Sequence, residues 1–186
     1  MKAKYAFVLC LLFAACGPPA DITVKLEKKS AGMMIKSATF SVGESRDLSG
    51  GREFRPYTFL LTNFDPAGKD LDAYGPDLTS TEQIKIHFNL VVDSSDDNKE
   101  MKLKTGSFKG ASSNYGDKGI TINSFRVFTF ADGSEQVFAR MGSNQDSFVK
   151  LTSVTDDTVS GEIAFVDGKE SVTGKFTAKM IKKKDN

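Results

Sequence analysis

Ile84-Lys85-Ile86-His87-Phe88-Asn89-Leu90-Val91-Val92 alternates almost without a break, so that Ile84, Ile86, Phe88, Leu90 and Val92 fall on one face. Period two is the repeat of an extended strand, and a helix of 3.6 residues per turn would scatter those five side chains around its circumference. A strand with such a face must bury it against a second layer. The same period recurs in Ile22-Val24-Leu26, less cleanly over Ile35–Val42, and in the aromatic-aliphatic stretch Pro56–Phe64. No window of eleven or more residues carries a helical stripe. The chain therefore reads as all-β: about nine or ten mainly antiparallel strands with little helix, arranged as a two-sheet sandwich or a closed barrel.

Connections follow from turn chemistry. Gly43 to Arg55, with its Gly50-Gly51 pair, reads as a loop. Asp93 to Asn98 reads as a hairpin tip leading to a strand in which Met101, Leu103 and Thr105 share a face until Gly106 shifts the phase toward Phe108. The last 65 or so residues (roughly, on turn spacing) read as one antiparallel meander with hairpins at Asp132-Gly133 and Asp167-Gly168. A two-residue turn at Asp167-Gly168 pairs Ile163 with Val172, Gly161 with Gly174 and Val159 with Phe176; the facing glycines would leave room for a side chain from elsewhere or for a sharp bend. A two-residue turn at Asp132-Gly133 pairs Phe128 with Val137 and Arg126 with Ala139. Phe148 and Val149 offer two competing faces, which leaves the register before Val159 open.

The N-terminus is of another kind. Lys2 and Lys4 precede the apolar run Ala6–Phe13 and the small pair Ala14-Ala15, and Cys16 follows. Eight helical residues span about 12 Å, too short to cross a bilayer, so the segment reads as an export signal. Cleavage by the ordinary rule is poorly served, because Phe13 stands three residues before Cys16 and Pro18 follows Gly17. The stretch Phe13-Ala14-Ala15-Cys16 resembles the lipobox of bacterial lipoproteins, with Phe13 where Leu is commonest. The resemblance covers residues 1 to about 20. It implies that 1–15 are removed as a signal peptide, that Cys16 carries diacylglycerol and palmitate-type acyl chains on the cell envelope, and that 16–21 are a lipidated cysteine and short tether; length and the period-two pattern make 22–186 a single β domain. Gly17, in place of a retaining Asp, implies the outer rather than the inner membrane. The tether spans at most about 18 Å when extended, which holds the domain close to its membrane.

Charge and residue types narrow the chemistry. The formal net charge is +1, and loss of Lys2 and Lys4 with the signal brings it to −1, so there is no electrostatic case for nucleic acid as a partner. Cys10 leaves with the signal and Cys16 is acylated on this reading, so neither a disulfide nor a thiol nucleophile remains. His87, the one histidine, sits beside Lys85 and Asn89 without a neighbouring nucleophile or ligand set and is expected to face solvent. Asp70 and Asp72, with Gly75 and Asp77 following, resemble the first half of a calcium loop, but the twelfth place is Thr81 rather than Glu. Calcium at Asp70, Asp72 and Asp77 is the one cofactor considered; Asx turns around Pro66 and Pro76 explain the same residues. The chain has no Trp, so aromatic platforms for sugars are scarce.

Phe125-Arg126-Val127-Phe128-Thr129-Phe130 and the paired Val137-Phe138 carry apolar residues on both faces. Either neighbouring elements cover both, or Phe125, Val127, Phe128, Phe130, Val137 and Phe138 offer one face to an apolar ligand or an envelope protein. The expectation is a non-enzymatic, lipid-anchored envelope protein that binds a ligand or partner or serves a structural role. The alternatives are a carboxylate-dependent hydrolase and a calcium-binding surface domain.

Overall fold

The computed structural model describes residues 21–26, 29–48, 52–66, 75–94, 99–110, 119–140 and 147–181. They form twelve strands and no helix: β1 (Ile22–Leu26), β2 (Lys29–Met33), β3 (Ser37–Val42), β4 (Arg46–Leu48), β5 (Arg52–Thr62), β6 (Ile84–Asp93), β7 (Gly106–Lys109), β8 (Ile120–Ala131), β9 (Ser134–Arg140), β10 (Phe148–Val154), β11 (Thr158–Asp167) and β12 (Glu170–Met180). The all-β expectation holds. The two strands beyond the expected ten are short: β2 and β4 lack apolar alternation, and β4 pairs with β5 inside what reads as a loop.

Strand order is β7-β10-β11-β12-β3-β5-β6-β8-β9, with β1 and β2 attached to β12 and β4 attached to β5. The sheet does not close into a barrel. It doubles back as a sandwich at β12, whose edge is divided: β1 pairs with Ser171–Gly174, and β3 joins in parallel at Lys179 and Met180. Aromatic rings cross between the layers. Phe176 of β12 meets Phe59 and Phe88 edge-on, at 5.8 and 5.6 Å, and Phe165 of β11 stacks on Phe125 of β8 at 3.6 Å. Phe59 and Phe88, neighbours in register, stack at 4.6 Å. Such pairs add about 0.5–1.5 kcal/mol each beyond their buried area. The abundant phenylalanine thus makes the central core, and β6 supplies its midpoint.

Turn residues set one register as expected and shift the other. Asp132 and Gly133 both have positive φ, 52° and 77°, the type I′ pattern, and Phe128 pairs with Val137. Beyond that rung a bulge intervenes, so Arg126 pairs with Arg140 and not with Ala139. In the last hairpin the turn is Gly168-Lys169. Gly168 alone carries positive φ, 58°, at the first central place, the type II′ pattern, and Asp167 pairs with Glu170.

Ile163 therefore faces Gly174, and Gly161 faces Phe176; the expected glycine pair does not form. Moving the turn by one residue keeps every side chain on its expected face while changing each partner. The observed partners are the better ones. Glu162 sits opposite Lys175 with their charges 3.6 Å apart, Ser160 and Thr177 share a 2.9 Å hydrogen bond, and the Phe176 ring lies over Gly161. Gly174 has a separate reason: a Cβ there would strike the Asp21 carbonyl oxygen and lie 2.6 Å from Ile22 Cα, so β1 could not approach.

Two further expectations give way. The last 65 residues (roughly, as spaced by their turns) are not one meander, because β9 pairs only with β8 at the end of the sheet while β10 lies between β7 and β11. Residues 101–104 are not a strand following a β6 hairpin. Met101 has φ 49°, its carbonyl accepts a 2.9 Å hydrogen bond from Tyr57 Oη, and β7 begins only at Gly106, pairing with β10. The open register of β10 is resolved by a bulge at Thr152, which lets Val149, Leu151 and Val154 all turn toward the core.

A sealed outer face and an open end groove

Both faces of β8 are covered, by different means. Phe125 and Val127 enter the central core, whereas Phe128 is buried on the opposite face beside Lys85 and across from Val137. The chain between β5 and β6 returns over that outer face. Leu78 is buried there, and its N–H donates to Glu135 Oε2 at 3.1 Å; Gly75 packs so closely on Leu60 that a Cβ would lie 2.5 Å from Leu60 Cδ2.

Lys85 binds these parts together. With 1 % exposure, its ammonium is 2.9 Å from Glu135 Oε2, donates to the Pro76 carbonyl at 3.1 Å and sits 4.5 Å above the Phe128 ring. A lysine with this many compensating partners can be buried without the cost of an isolated charge. His87, expected in solvent, is 3 % exposed on the same covered face, between Leu60 and Arg126 in register. Alternation placed it correctly opposite Phe88, but its burial is not announced by periodicity.

Of the other apolar candidates, Phe130 is half-buried and Val137 is 47 % exposed at the edge strand. The Phe138 backbone pairs with Val127, and its side chain lies outside the described residues. Asp70, Asp72 and Cys16 also lie outside them. Asp77 is exposed, and among the described residues no group of three or more His, Cys, Asp or Glu is arranged to hold a metal ion.

One end of the sandwich stays open. A groove of about 570 Å³ lies between the end of β3, the start of β5, the 101–104 segment, the β10–β11 turn and the end of β12. Its walls are Phe40, Val42, Leu103, Val154, Val159 and Met180, and its rim carries Arg55, Lys102, Asp156 and Asp157. At the other end, among Leu26, Phe125, Phe165 and Val172, the space is about 10 Å³, room for one water at most by the roughly 10–15 Å³ criterion. A concave apolar site with a few polar groups, a few hundred Å³ in size, is the form of a small-molecule pocket.

Tyr57 fixes the groove floor. It shares the core-facing register of β5 with Phe59 and Leu61, is buried, and donates its hydroxyl proton to the Met101 carbonyl. Burial pushes the phenol above its ordinary pKa of 10.0, and Arg55 and the Leu103 backbone oppose that rise only in part. The phenol is thus held neutral, with its proton directed at the Met101 carbonyl. At the rim, Lys102 Nζ lies 2.6 Å from Glu100 Oε2; the contact lowers the Glu100 carboxyl and raises the Lys102 ammonium from their ordinary values.

None of the groove residues stands out in the sequence by motif. One signal was present: Arg55 occupies the same register as Tyr57, Phe59 and Leu61, and a charge on the apolar side of a strand marks where the core face meets solvent. The other contributors come from five separate segments joined only by folding. Comparison with family models, with curated proteins and with solved structures finds no match to this chain.

Proposed function

We propose that this chain is a lipid-anchored protein of the bacterial envelope, held through Cys16, whose sandwich binds a small, mainly apolar ligand in the end groove without turning it over. The observation that carries the binding reading is the contrast in closure among the described residues: the groove has apolar walls and stays open, while the space beside Leu26 and Phe165 at the other end is about 10 Å³ and Leu78, Lys85 and Phe128 are buried on the outer face of β6 and β8. Val42, Val154 and Met180 stay only partly buried around the open groove, which forgoes burial that closure would provide, at about 25 cal/mol per Å² of apolar surface. A ligand restores it. The anchor reading rests on the lipobox-like residues and on the short tether that follows them.

Two experiments test the two parts. Native mass spectrometry of the chain from Gly17 onward, which keeps every described residue, should show a retained small molecule that is lost in a Val42→Trp variant filling the groove. A protein that emerges ligand-free and takes up no apolar probe would remove the binding reading. Labelling of cells with a fatty acid should mark the parent and not Cys16→Ala; label on both would remove the anchor.

A further inference from the structure

We infer that the groove takes a single-chain amphiphile with an anionic head, carboxylate or phosphate, and that Arg55 receives the head. This deepens the binding reading and rests on it. The first support is how the rim charges are already used. Lys102 is engaged by Glu100 at 2.6 Å and also feels Asp156, so this cation already has an acidic partner. Arg55 differs. Its Nη1 donates to the Glu100 backbone carbonyl at 3.2 Å, a neutral oxygen.

A guanidinium carries five N–H donors in a planar fork that matches a carboxylate or phosphate edge, so this bond leaves donors for an incoming anion. Position is the second support. Arg55 starts the core-facing row Arg55-Tyr57-Phe59-Leu61 of β5 and lines the groove, with its Nη1 at the Glu100 carbonyl. An amphiphile with its chain between Val42, Leu103, Val159 and Met180 would present its head at that rim. An amine head would meet the same guanidinium and be repelled. Asp156 and Asp157 lie across the β10–β11 turn side of the rim and set a limit on the site: they favour a head no larger than one anionic group close to Arg55.

Calorimetric titration of the chain from Gly17 onward with dodecanoate, dodecyl phosphate, dodecanol and dodecylammonium separates the possibilities. Both anions should bind about tenfold or more tightly than the alcohol, the gain expected of a charge-assisted pair, and the ammonium should bind least. Arg55→Gln should bring the anions to the level of the alcohol and leave alcohol affinity within about twofold; Arg55→Lys should keep part of the preference, since it keeps charge and loses the fork. A difference between the two anions tells a carboxylate ligand from a phosphate one within the same site. Equal binding of alcohol and anions, or an anion preference that survives in Arg55→Gln, overturns this inference while the groove reading stands if Val42→Trp abolishes binding. No binding by any of the four compounds overturns both.

Discussion

The outer face of β6 and β8 and the end groove are both apolar places at the boundary of one sandwich, yet they are finished in opposite ways. Over the outer face, the β5–β6 connection lays down Leu78 and ties itself through Pro76 and the Leu78 N–H to the Lys85–Glu135 pair. At the groove, the 101–104 segment is tied by a comparable bond, Tyr57 Oη to the Met101 carbonyl, but it forms one wall and stops short of a lid. Apolar character alone therefore does not mark a binding site. What distinguishes the groove is that the chain supplies walls without supplying a cover.

The largest test of this contrast is on the sealed side. Leu78→Ala should destabilise by about 2–4 kcal/mol, because it leaves a cavity between the strap and the sheet. Chemical denaturation measures this, and a change under about 0.5 kcal/mol would mean that the strap does not close the face. Next is the latch. Lys85→Met should cost about 2 kcal/mol, less than a fully buried pair because Glu135 keeps 22 % exposure, and Lys85→Met with Glu135→Leu should recover much of the loss. Additive losses in that cycle would remove the coupling.

On the open side effects should be smaller. Met180→Ala at the groove wall should cost about 1 kcal/mol or less, since the removed atoms leave open space and no sealed cavity; a loss as large as that of Leu78→Ala would show that the groove is closed in solution. The smallest effect is a titration. Tyr57 should ionise above 10.0 in the folded protein, later than an exposed tyrosine, as phenolate absorbance reports. The unfolded chain then loses that proton first, so the stability linked to Tyr57 is whole below about 10 and falls as pH rises through the raised folded value. Joint titration of the three tyrosines of the chain from Gly17 onward would show Tyr57 to be open to solvent.

Much of the fold was legible, and the limits are instructive. Alternation identified β6 and its buried row because inward and outward positions differ by one residue. It could not place the last hairpin's turn, since moving from Asp167-Gly168 to Gly168-Lys169 leaves every face unchanged and alters only the partners. The choice follows from Phe176 over Gly161 and Glu162 beside Lys175, contacts between strands that no single strand records. His87 shows the same limit: its face is a property of β6, while its burial depends on what other segments place over that face.

By itself, then, the sequence determined the all-β class, the faces of β6, β11 and β12 and the two-residue turn at Asp132-Gly133, because each depends on residues adjacent along the chain. Only the tertiary structure decided which faces are sealed. It set Arg55, Tyr57, Leu103, Val154 and Met180 around one opening, drawn from segments as far apart as β5 and the end of β12. Coverage is a relation between distant segments, fixed by how the sheet doubles back at β12 and where its connections lie, and a local pattern of side chains carries no record of it.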